Sequence, residues 1–119
     1  MNNASEDGFD LNSVKASIVA CIKVAGMNES SLIESDYDDW HNDYSASWQM
    51  RFIYDLQCLQ KSMSHMNAAL QQKNFATVDA ALRDAVLHSS SLSSIFEYIT
   101  SDLMHLRNVI KNAAVTENA

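Results

Sequence analysis

The sequence predicts an all-α fold, an antiparallel bundle of four to five helices joined by short loops. Three observations carry this. The chain has no proline and only two glycines, Gly8 and Gly26, where average usage would give about six and eight. Apolar residues recur at steps of three and four, the period of a half-buried helix. The polar breaks between those runs are short, and short loops favour antiparallel neighbours.

Residues 1–10 read as a flexible acidic tail. The first helix is expected from Leu11–Ser13, with Asp10 or Asn12 as N-cap. Leu11, Val14, Ile18, Cys21, Ile22 and Ala25 share its apolar face. Gly26 stands where a C-terminal cap belongs. Ser31-Leu32-Ile33-Glu34 then reads as a capping box opening a second helix.

From Ile33 an aromatic stripe of Tyr37, Trp40, Tyr44 and Trp48 leads into Phe52, Leu56, Leu59, Met63, Met66 and Leu70. The last six follow a heptad-like 4-3-4-3-4 spacing. One unbroken helix here would run about 60 Å at 1.5 Å per residue, so an interruption is expected at Asn42–Ser47. Asn74 caps a helix over Phe75–His88 whose core face is Phe75, Val78, Leu82 and Val86, with Ala85 beside it. Ser89-Ser90-Ser91 reads as a weak break. A last helix follows to Ala114 on the stripe Leu92, Ile95, Phe96, Ile99, Leu103, Leu106 and Ile110. The tail 115–119 should fray. The folded domain is thus expected over 11–114.

At 119 residues and 47% hydrophobic content the chain is one domain's worth and can bury a core without metal or disulfide help. No apolar run has membrane-span length. The polar start lacks the pattern of a signal peptide, so a cytoplasmic location is expected. Cys21 and Cys58 then read as reduced, buried thiols.

The net charge of -7 is local. Residues 24–50 carry six acids and no Lys or Arg, whereas residues 51–119 carry six of each sign. Nucleic acid demands a basic footprint, so direct binding to it is disfavoured. A basic protein partner is compatible with this charge.

The densest constellation is Glu34–Trp48. On a helix Tyr37, Trp40, Tyr44 and Trp48 share one face, and Asp36, Asp39 and Asp43 the next. Like charges three and four apart cost helix stability, and the helix dipole accounts for Asp36 and Asp38 but not Asp43. Two readings stand. Either aromatic anchors ringed by acids form a partner-binding epitope of Asp36, Tyr37, Asp38, Asp39, Trp40, Asp43, Tyr44 and Trp48, or the aromatics are core and the acids a solvated face. The segment is similar in kind to the epitope of colicin DNase immunity proteins, which are small acidic helical bundles, although no motif is shared. That similarity implies an inhibitor, immunity or anti-defence type of protein that occludes a basic, nucleic-acid-handling partner.

Two alternatives accompany that reading. The seam Phe52, Leu56, Leu59, Met63, Met66 and Leu70 would serve a structural homodimer. Arg83-Asp84-Ala85-Val86-Leu87-His88 resembles the R-x4-H motif of HEPN domains, which implies a ribonuclease using Arg83 and His88. The bland alternative is a surface arginine and a histidine at a helix C-terminus. Asp38-x-x-His41 and Asp102-x-x-His105 have a carboxylate–histidine spacing seen in metal-binding bundles, but the further glutamates such a site needs are absent. No cofactor and no metal are therefore expected. There is no glycine-rich phosphate loop. Composition and motifs together point to a non-enzymatic protein-binding module.

Overall fold

The computed structural model of the chain describes residues 9–27, 32 and 40–118. Among these residues there are three helices and no strand: α1 (Leu11–Val24), α2 (Trp48–Gln71) and α3 (Phe75–Asn118). The class is all-α as expected, but the described residues form three helices where four to five were expected. The capping box at Ser31–Glu34 lies outside the described residues, apart from Leu32, which is buried. The chain forms two compact units, one of residues 1–49 with 97–119 and one of residues 50–96.

Helix α1 begins where its sequence says it should. Asp10 is extended and its carboxylate accepts from the Asn12 backbone N–H at 2.9 Å, which satisfies one of the helix's open donors. It ends at Gly26, whose φ of 85° only glycine adopts without strain. Leu11, Ile18 and Ile22 are buried. Cys21 is half-buried rather than buried.

Residues 40–47 are not helical, so the interruption expected at 42–47 is present. Helix α2 opens at Trp48 because its cap comes from α1. The Asn12 side-chain oxygen accepts from the backbone N–H of Trp48 at 2.9 Å and of Gln49 at 3.3 Å. The Asn12 amide donates to Ser47 Oγ at 3.1 Å. Gln49 reciprocates, accepting from the Leu11 N–H at 2.8 Å. Asp10 and Asn12, weighed as rival caps of one helix, thus cap two different ones.

In the unit of residues 50–96, α2 and the first half of α3 form an antiparallel hairpin, since Asp55 meets His88 and Phe52 meets Phe96. The turn is Gln72–Asn74. Lys73 takes a left-handed φ of 55°, and Asn74 accepts from the Thr77 N–H at 3.2 Å as the cap of α3.

Three expectations about α3 need correction. It does not break at Ser89–Ser91, because the Ser91 hydroxyl finds an acceptor on α2, Asp55 Oδ2, at 2.6 Å. A serine whose side chain is used in this way no longer competes with the helix backbone. His88 therefore stands in mid-helix, not at a C-terminus. The helix also continues to Asn118, past the point where a frayed tail was expected.

The third correction concerns the core face. Ala81 and Ala85 are buried against α2, while Phe75 and Val86 are 66% and 64% exposed and Leu82 is 42% exposed. Small residues on the contact line let the two helices approach closely, and this turns the larger side chains outward. Further along α3 the buried line is Ile95, Ile99, Asp102 and Leu106, while Leu103 is exposed.

Candidate functional site

Of the eight residues proposed as an epitope, Asp36, Tyr37, Asp38 and Asp39 lie outside the described residues. The structure places Trp40, Tyr44 and Trp48 inside the unit of residues 1–49 and 97–119, buried in an edge-on aromatic series. Trp40 and Tyr44 have ring centroids 6.1 Å apart, and Tyr44 and Trp48 5.1 Å apart. The other side of Trp40 meets the His105 ring at 4.5 Å. These three rings are core and are not displayed as anchors. Asp43 is exposed, but it is engaged locally. It accepts from the Ser45 hydroxyl and N–H, which hold its carboxyl below the usual carboxylate range with help from Lys15.

Asp102 ties this irregular segment to α3. Its carboxylate is fully buried. Oδ1 accepts from the His41 N–H at 2.7 Å. Oδ2 accepts from the Asn42 N–H at 3.1 Å, the Asn42 amide at 2.8 Å and the Tyr44 hydroxyl at 2.7 Å. Non-helical backbone inside a protein must find partners for its N–H groups, and one side chain of α3 supplies two of them. Burial, and then the hydrogen bond and charge of Asp102, push the Tyr44 phenol far above its ordinary value. These donors occupy both oxygens of Asp102, and the His105 ring packs on Trp40. Among the described residues no cluster of three or more metal-ligating side chains occurs.

The hairpin has its own buried carboxylate. Asp55 faces His88 Nδ1 at 3.1 Å and accepts from Ser91 Oγ. The Tyr54 ring stands edge-on to His88 at 6.2 Å. The Tyr54 phenol is shifted upward, chiefly by its hydrogen bond to Cys58. Cys58 is half-buried with a free thiol. Asp55 was missed in the sequence although it left a signal, since it is a carboxylate sitting between Phe52, Leu56 and Leu59 on an otherwise apolar seam. Arg83 does not join His88. It pairs with Asp79 at 3.4 Å on the exposed surface, and five residues on a helix separate the two by about 140°.

The two sides of the hairpin differ in chemistry. On one side a shallow cleft of about 390 Å³ is floored by alanines and edged by His65, Gln72, Asn74, Thr77 and Asp84. The other side is apolar. On α2 the buried row is Asp55, Ser62 and Ala69, at steps of seven, and the row Leu56, Met63 and Leu70 lies about 100° round from it. On α3 the row Phe75, Leu82 and Val86 lies about 100° round from Ala81 and Ala85 in the same sense. Equal rotations on antiparallel helices fall on one side of the pair, so the two rows form a single face. Leu56 and Leu70 are 42% and 44% exposed, Met63 in the same row is half-buried, and Leu59 and Met66 are half-buried between that row and the contact line. The heptad seam is therefore the edge of this face and only in part a helix–helix contact.

Comparison with known proteins adds the family. A family model described as a family of unknown function (DUF6853) matches residues 4–116. The chain belongs to that family. Its fold is similar to a crystal structure of a functionally unknown protein from Neisseria meningitidis MC58, with a TM-score of 0.76 and 25% identity over 83% of this chain and 88% of the other. No curated protein matches. Among the described residues no helix is long and apolar enough to cross a membrane.

Proposed function

We propose that this protein is a non-enzymatic protein-binding module whose contact surface is the apolar face of the hairpin. One observation supports this above all: five large apolar side chains, 42% to 66% exposed, stand on one side of two helices, whereas the side chains buried between the helices include Ala69, Ala81, Ala85, Asp55 and Ser62. A soluble protein rarely leaves such a patch uncovered unless something docks there. The test is a photo-crosslinking amino acid at position 82, on the face, and at position 77, on the polar cleft, in producing cells. Protein adducts at 82 and not at 77 are expected. Equal labelling at the two positions, or none at 82, would overturn the reading.

A second reading keeps the acidic partner surface of an inhibitor or anti-defence type protein. It is favoured by the charge distribution. Residues 50–96 carry four bases and three acids, a net +1, so the rest of the chain carries -8 of the total -7. Such a field would steer a basic, nucleic-acid-handling partner. Charge reversal at Asp36, Asp39 and Asp43 should weaken that binding and remove its salt dependence, and unchanged affinity would sink it.

A further inference from the structure

We infer that the occupant of the hairpin face is a second copy of this chain, packed face to face so that two hairpins close a four-helix unit. The inference rests on the reading of that face as a binding surface and names its partner. Three features of the hairpin select self-association over a foreign partner.

The first is charge. A chain of net charge -7 would ordinarily repel its own copy, but the hairpin carries only +1. The apolar rows are bordered on α2 by the neutral Gln60 and Asn67 and on α3 by Asp79 and Arg83, which already neutralise each other. Nothing on this face invites a basic or an acidic partner, and nothing opposes an identical one.

The second is area. The exposed parts of Leu56, Leu70, Phe75, Leu82 and Val86, with the half-buried residues between them, present on the order of 600 Å² of apolar surface. That is the top of the range for a monomer's largest patch. With a polar rim it reaches roughly the 800 Å² per partner of a specific interface.

The third is shape. The alanine contact line draws the helices together and leaves two apolar rows side by side on one face. Two such faces related by a two-fold axis can meet as an isologous contact, the rows of one copy packing against those of the other. The spacing of seven along Leu56, Met63 and Leu70 matches the ridge pattern of shallow-angle helix packing.

The experiment is sedimentation velocity on the purified full chain in reducing buffer, so that Cys21 and Cys58 cannot cross-link. A species of twice the 13.3 kDa chain mass is expected, unchanged by salt up to about 1 M, where charge-driven contacts are screened. A monomer at about 100 μM, weaker than any specific association of this size, would overturn the inference. In that case adducts at position 82 in cells would still uphold the face as a binding surface for another protein, and their absence would end both ideas. The double variant Leu82→Glu, Val86→Glu should weaken the dimer by roughly 100-fold or more through buried like charges. A dimer as tight as the parent's would place the interface elsewhere and overturn the inference. If that variant loses its helix content, Phe75→Gln, in the exposed first turn of α3, gives the same decision, with weaker dimerisation expected and unchanged dimerisation contradicting the assignment.

Discussion

The Tyr44 hydroxyl donates to the buried Asp102 carboxylate at 2.7 Å, in a unit where three further donors converge on the same two oxygens. Asp102→Ala would leave all four without an acceptor, two of them backbone N–H groups that cannot turn away. A loss of about 3 kcal/mol or more is expected, read as a lower urea midpoint. Tyr44→Phe removes one hydrogen bond and leaves Asp102 with its other donors, so its cost should be smaller, about 1–2 kcal/mol. An equal cost for the two variants would mean that the carboxylate serves only Tyr44.

The same pair predicts an alkaline limb. The folded state holds the Tyr44 proton far above the ordinary value of 10, while the unfolded chain releases it there. The folded state then binds more protons, and stability falls as pH rises. The contribution is complete below about pH 10 and is lost above it. Urea midpoints of the parent chain and Tyr44→Phe should diverge below that pH and converge beyond it. Parallel profiles would contradict the assignment.

Asn12→Ala removes the acceptor shared by the Trp48 and Gln49 N–H groups. A cost of about 1–2 kcal/mol is expected, as for other caps. Hydrogen exchange locates it. The amides of residues 48 and 49 should lose protection although the substitution is 36 residues away in the chain. Loss confined to α1 would refute the cross-helix cap.

Lys73 holds a left-handed φ of 55° at the end of α2, a position that glycine fills without a Cβ penalty. Lys73→Gly should therefore stabilise the protein by about 1 kcal/mol, seen as a raised melting temperature. A lower one would show that the lysine side chain contributes more than its backbone costs.

Much of this architecture can be read from residues in isolation. Asp10, Gly26 and Asn74 mark helix ends because caps are local, satisfying groups two or three positions away. The absence of proline excludes most alternatives to helix. What could not be read is decided by partners distant in sequence. Ser91 looks like a helix breaker until Asp55 is placed beside it, and Asp102 looks like surface until the segment of His41–Tyr44 is wrapped around it. Periodicity also failed to tell which of two adjacent stripes on α3 faces inward. Hydrophobicity favoured Phe75, Leu82 and Val86, but close approach to α2 selected Ala81 and Ala85. The displaced stripe became the candidate site. The aromatic run at Trp40, Tyr44 and Trp48 went the other way: it reads equally as epitope or core, and its burial follows from the Asp102 and Asn12 contacts that pin both ends of the segment.

The division of the chain also bears on the order of its birth. The hairpin is one continuous stretch, residues 50–96, whereas the other unit needs residues 97–119 to join residues 1–49. On the ribosome, domains generally fold as units from the N-terminus onward, but here the earliest residues must wait. Asn12 has no N–H groups to cap until Trp48 emerges, and His41, Asn42 and Tyr44 have no acceptor until Asp102 does. The middle of this protein can thus be complete while its beginning is still waiting for its end.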